Sequence, residues 1–113
     1  MTSPILISKN GEYFIEDFPV SRMVERFGSP FYVYSKEKLI TNFNSFKSYF
    51  NEIDHLICFA VKSNSNIGIL NILAEIGAGF DIVSGGELER VISAKGDPKK
   101  IVFSGVGKTS TEI

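Results

Sequence analysis

Three short apolar runs at an even beat constrain this chain more than any other feature: HLICFAV at 55–61, GFDIV at 79–83 and KIVFS at 100–104. Each has the length of a buried strand, and a spacing of roughly twenty residues leaves room for one helix between successive runs. The intervening LNILAEIG and ELERVISAKG segments carry helical periodicity, and Gly77 and Gly96 stand where each helix should close. The second opens with Ser84-x-x-Glu87, a capping box in which each residue satisfies an orphan backbone donor of the other. Strand, helix, strand, helix, strand predicts successive βαβ units on a parallel sheet, an α/β fold. Thr109-x-x-Glu112 repeats the capping signal, so a further helix is expected to begin there. Three parallel strands leave open edges, so the segment reads as the front of a longer barrel.

The stretch before the runs has a different grain. ILIS (5–8) and YFIE (13–16) flank Lys9-Asn10-Gly11-Glu12, and Asn-Gly tolerates the positive φ angles of a tight type I′ hairpin turn. Val20, Met23, Val24 and Phe27 fall on one face of a short helix that Gly28 can close, and Pro30 introduces FYVY, a β-rich run. From Ser35, a plausible N-cap, Leu39, Phe43, Phe46 and Phe50 recur at helical steps. We expect residues 1–34 to contribute strands to a second β-domain and residues 35–113 to supply the first βα units of the barrel.

Charge and cysteine content narrow the partners. Twelve basic and thirteen acidic residues leave a formal charge of −1, without the basic stripe of a nucleic-acid binder. No stretch approaches the ~18 consecutive apolar residues of a membrane span, and MTSPILISKNGEYF lacks the pattern of a signal peptide. The single cysteine, Cys58, cannot form an internal disulfide, which together with the missing leader suits a cytoplasmic protein.

Four features invite chemistry. The first, Gly105-Val-Gly-Lys-Thr, looks like a phosphate-gripping loop, but that motif needs a glycine five positions before Gly107, where Val102 stands. A tight strand-to-helix turn is the better reading. Lys62 follows the first apolar run, so it emerges where a buried strand ends, the catalytic face of an α/β barrel. One partly desolvated side would favour the neutral amine that attacks aldehydes. An ordinary surface lysine is the commoner occupant of such a position, and periodicity alone does not overturn that reading. Asp81 lies inside GFDIV, where a carboxylate needs a partner unless it reaches the exposed strand tip. Ser84 to Glu87 could form an anion-friendly helix N-terminus or simply a cap. With His55 the sole histidine and Cys58 in mid-strand, neither a zinc site nor a histidine triad can be assembled.

Taken together, Phe59-Ala-Val-Lys-Ser-Asn64, Gly77-Ala-Gly-Phe-Asp-Ile-Val-Ser-Gly-Gly-Glu-Leu88 and Ile101-Val-Phe-Ser-Gly-Val-Gly-Lys-Thr109 resemble the fold-type III pyridoxal-phosphate (PLP) decarboxylases, in their diaminopimelate branch. The preceding GSPFYVY looks like that family's entry into its barrel. The resemblance implies the N-terminal part of a PLP-binding (β/α)8 TIM barrel and an enzyme that converts meso-2,6-diaminopimelate to L-lysine and CO2, the last step of lysine biosynthesis. It implies that Lys62 forms the Schiff base with PLP, that Asp81 supports Lys62 from the next strand end, and that Glu87 belongs more loosely to the same network. It also implies a homodimer with a small amino-acid substrate. Ser63 departs from the alanine common in bacterial members. The family's Gly-rich phosphate loop, acidic partner of the pyridine nitrogen, ring-stacking histidine and substrate arginines would lie beyond Ile113. A sister enzyme acting on ornithine, arginine or carboxynorspermidine, or a non-catalytic PLP-binding barrel, are the alternatives; the Ser84-Gly-Gly-Glu and Gly105-Val-Gly-Lys-Thr blocks favour the diaminopimelate branch.

Overall fold

Asn10 and Gly11 both take positive φ, 52° and 80°, and turn the chain through a two-residue hairpin. The computed structural model, which describes residues 5–113, pairs β1 (Leu6–Lys9) antiparallel with β2 (Glu12–Ile15), Lys9 opposite Glu12 beside the turn. The short β3 (Phe18–Pro19) adds to β2, and α1 (Val20–Phe27) starts directly from it, ending where the Gly28 N–H reaches the Val24 carbonyl at 2.8 Å. FYVY departs from expectation: residues 31–34 join no strand among the described residues, and Tyr32 is 91% exposed. Strand preference is expressed only against a neighbouring strand, and the β1-β2-β3 sheet offers these residues none.

Glu16 explains how the hairpin is anchored to the helix that follows. Its backbone sits at φ 54°, a conformation unfavourable for a residue with a Cβ. In return its carboxylate accepts from the Ser35 hydroxyl at 2.7 Å and the Glu37 N–H at 2.9 Å, at the N-terminus of α2 (Lys36–Ser48). Ser35 in turn caps that helix by accepting from the Lys38 N–H at 2.9 Å, as its position in the sequence anticipates. These bonds hold the Glu16 carboxyl below its ordinary value, the Ser35 hydroxyl foremost.

The chain divides into two compact units, one up to Asn42 and one from Phe43. In the second, Phe46, Phe50 and His55 make tilted ring contacts in series, and the expected alternation follows. It consists of β4 (Cys58–Ala60), α3 (Ile67–Glu75), β5 (Gly79–Ile82), α4 (Gly85–Ser93) and β6 (Ile101–Phe103), the strands parallel in the order β4-β5-β6. The strands are shorter than the apolar runs. The first stops at Ala60, because Val61–Ser63 turn into one 3-10 turn.

The sheet's two faces differ. Phe80 and Ile82 are fully buried and make the core with Val61, Leu70, Leu73, Val91 and Ala94. Side chains alternate along a strand, so Gly79 and Asp81 turn to the opposite face, beside Cys58 and Ala60 on β4 and Val102 on β6. That face is the more open one: Val102 is half exposed.

Gly77 closes α3 with φ 85°, as expected. At the end of α4 the left-handed residue is instead Lys95, φ 63°. Gly96 serves for close packing: a Cβ there would fall 2.5 Å from Val91 Cγ1 and 3.0 Å from Phe80 Cε2. After β6, Thr109–Glu112 make a single turn closed by the Glu112 N–H on the Thr109 carbonyl, with Glu112 reaching back to the Thr109 N–H as the capping signal anticipates. Among the described residues no helix is long and apolar enough to cross a membrane.

Candidate active site

The C-terminal ends of the three parallel strands carry the residues that the sequence singles out. Lys62 sits in the middle of the 3-10 turn after β4. Fully buried Val61 anchors that turn, the Asn64 N–H closes it on the Val61 carbonyl, and the Ser63 hydroxyl donates to the Ala60 carbonyl at 2.7 Å. Asn64 and Asn66 then accept from the Asn66 and Gly68 N–H groups and lead into α3. Arg90, on α4, donates to the Ser65 carbonyl at 3.3 Å. The backbone around Lys62 is therefore held on both sides. The lysine side chain itself is exposed, contrary to the partial desolvation expected of it.

Asp81 lies opposite Ala60 in the ladder, two residues before Lys62 along β4's direction. Its Oδ1 is buried with no hydrogen-bond partner. A carboxylate oxygen in that state costs free energy until a donor reaches it. Asp81 acts on a neighbour as well: the Cys58 thiol is pushed up, first by burial and then by the Asp81 charge. Cys58 is accordingly a poor nucleophile on this face.

Glu87 is committed elsewhere. Ser84 caps α4 by accepting from the Glu87 N–H at 3.2 Å, and Glu87 Oε2 accepts from the Val83 N–H at 2.8 Å, one residue earlier than a capping box would place it. Among the described residues Lys62 forms no ion pair with Asp81 or Glu87. The sheet thus sets Lys62 and Asp81 at neighbouring strand ends and uses Glu87 to shape the start of α4.

The loop from Ser104 to Thr109 is not built to wrap a phosphate. A Cβ on Gly105 would fall 2.7 Å from Phe103 Cε2 and 2.8 Å from the Val83 carbonyl, so glycine is needed there for the close passage of two strand ends. Lys108 folds back, its Nζ 2.8 Å from the Gly105 carbonyl and 5.0 Å from the centre of the Phe103 ring. Sequence reasoning missed two ties that the structure shows: Arg90 to the loop after Lys62, and Glu112 to Gly85. Only the Glu112 tie had a signal, the Thr109-x-x-Glu112 pattern, which pointed to a helix start.

Known proteins share this arrangement. The family model described as pyridoxal-dependent decarboxylase, pyridoxal binding domain, matches residues 36–113. The diaminopimelate decarboxylase of Haemophilus influenzae is 56% identical over 105 residues, covering 93% of this chain and 25% of its own length. That of Pseudomonas aeruginosa is 53% identical over 105 residues, with the same two coverages of 93% and 25%. The crystal structure of diaminopimelate decarboxylase from M. jannaschii in co-complex with L-lysine superposes with a TM-score of 0.86 at 37% identity, over 95% of this chain and 26% of that one. The chain spans about a quarter of the length of the curated relatives it matches. Lys62, at the end of the first parallel strand, falls inside the matched pyridoxal binding domain, and the chain belongs to the pyridoxal-dependent decarboxylases.

Proposed function

We propose that this chain is the cofactor-carrying front of an enzyme that decarboxylates meso-2,6-diaminopimelate to L-lysine and CO2. The observation that carries the reading is Lys62, set by a braced 3-10 turn at the end of β4, within a segment more than half identical to enzymes of that name. The L-lysine held by a structural neighbour supports the product side. Whether PLP suits the residues present can be judged on Asp81, whose buried, unpartnered Oδ1 sits one strand from Lys62 and calls for a donor.

Lys62 would hold the cofactor through its side-chain amine, and Asp81 would orient the groups gathered at that amine. When bound, PLP supplies an electron-poor ring that accepts the pair released as CO2 departs. The protein's own contribution is positional. The Ser63, Asn64, Asn66 and Arg90 hydrogen bonds fix the backbone on either side of Lys62, so the amine is presented from a rigid base rather than a loose loop. Glu87 acts one step removed, by fixing the turn from β5 into α4. Family resemblance supports a homodimer working in the cytoplasm.

The test is turnover by the full-length protein. Meso-diaminopimelate should release CO2 and L-lysine, while ornithine and arginine should not. Lys62→Ala should lose essentially all activity, because no other side chain can supply that amine. Preferential turnover of ornithine or arginine would reassign the substrate.

A further inference from the structure

The start of α4 holds an anion, and the anion comes from this chain. Glu112 Oε1 accepts from the Gly85 N–H at 3.0 Å, across 27 residues of sequence. Its Oε2 accepts from both the Thr109 N–H and the Thr109 hydroxyl, each at 2.9 Å. The carboxylate packs directly on the helix start: a Cβ at Gly85 would lie 3.4 Å from Glu112 Cγ, in ordinary van der Waals contact. Three donors from two separate segments thus converge on one carboxylate. The N-terminal end of a helix favours negative charge, and here the loop after β6 supplies it. From the same helix, Arg90 reaches the carbonyl of Ser65 in the loop after Lys62.

We propose that Glu112 is a positioning residue: it locks the loop after β6 onto the first turn of α4, and through α4 and Arg90 it steadies the loop that presents Lys62. The strand-end loops after β4, β5 and β6 then behave as one frame. The catalytic part of this proposal rests on the decarboxylase reading; the tie itself does not.

Two variants of the full-length protein isolate the tie. Glu112→Ala removes all three bonds. Gly85→Pro removes the Gly85 donor and puts the ring Cδ in the space Glu112 Oε1 occupies, so it displaces the carboxylate from the start of α4, at a first helical position where proline is itself well tolerated. Ser84 before it is already extended, φ −157° and ψ 161°, as a residue preceding proline prefers. Hydrogen exchange at Thr109 should speed up by about tenfold in Glu112→Ala, since a charge-assisted bond is lost. With diaminopimelate, kcat should fall by about tenfold in Glu112→Ala with KM changed far less. Gly85→Pro should lower kcat in the same direction, Glu112→Asp should recover part of the loss, and the double variant should be no worse than Glu112→Ala alone. Unchanged exchange at Thr109, or losses that simply multiply in the double variant, would overturn the proposal. If Glu112→Ala does not fold, Gly85→Pro decides alone: wild-type kcat in that variant overturns the proposal. A wild-type protein that releases no CO2 would sink the decarboxylase reading and the catalytic part with it, while exchange at Thr109 would still judge the tie.

Discussion

Single residues on this chain act mainly through where their polar atoms are held. Glu16 shows this with a pH consequence. Its folded carboxyl lies below the ordinary value, chiefly because Ser35 and the Glu37 N–H favour the charged form. A depressed carboxyl contributes stability that is present above its unfolded value and is lost as pH falls through the folded one. Protection of the Glu37 amide from hydrogen exchange, taken relative to an unstructured amide at the same pH, should therefore be constant near neutrality in the full-length protein and fall on the acid side of the ordinary carboxylate range. Glu16→Gln should show the lower protection at neutral pH already. Cys58 shifts the other way, raised by burial and by Asp81. Its alkylation at neutral pH should be slower than that of a free thiol in an unfolded peptide, and Asp81→Asn should narrow the gap. Asp81's place in the strand could be read from GFDIV, but its unpartnered oxygen depends on ladder register and on what packs nearby, which residue order does not encode.

At the scale of elements, local chemistry was legible and long-range partnership was not. Asn10-Gly11, the Ser35 and Ser84 caps and the Gly77 helix end all announced themselves, because each works through neighbours a few residues away. FYVY misled, since its β character needs a strand beside it. Thr109-x-x-Glu112 was legible only in part: the carboxylate bonds back to Thr109 as a capping signal should, while its other oxygen goes to Gly85, a partner set by the parallel sheet. Gly105-Val-Gly-Lys-Thr shows how a motif can share residues with a phosphate loop and serve packing instead. Gly105→Ala should destabilise the protein by about 1–3 kcal/mol in denaturant unfolding, as overpacking against the Val83 backbone and Phe103 requires. Lys108→Ala should shift stability by no more than about 0.5 kcal/mol. Neither it nor the parent should bind ATP–Mg²⁺ saturably. Phe80→Ala, in the centre of the core, should cost about 3–5 kcal/mol.

For the whole molecule, the decisive facts are a three-stranded parallel sheet with one face covered by helices and the other open. An eight-stranded barrel needs about 250 residues, and this chain supplies 113. Expressed alone, it should unfold without a sharp transition and show no decarboxylase activity, because unpaired strand edges and bare apolar surface favour association. Calorimetry and size-exclusion chromatography would check this; a cooperative, monomeric transition would count against it. The proposed function places its catalytic weight on one amine, that of Lys62 after β4. Borohydride treatment of the full-length, cofactor-loaded protein, followed by proteolysis and mass spectrometry, addresses that weight directly. The account requires a pyridoxyl adduct on the peptide containing Lys62 and none on the peptide containing Lys108; an adduct on Lys108, or on any lysine other than Lys62, would contradict it.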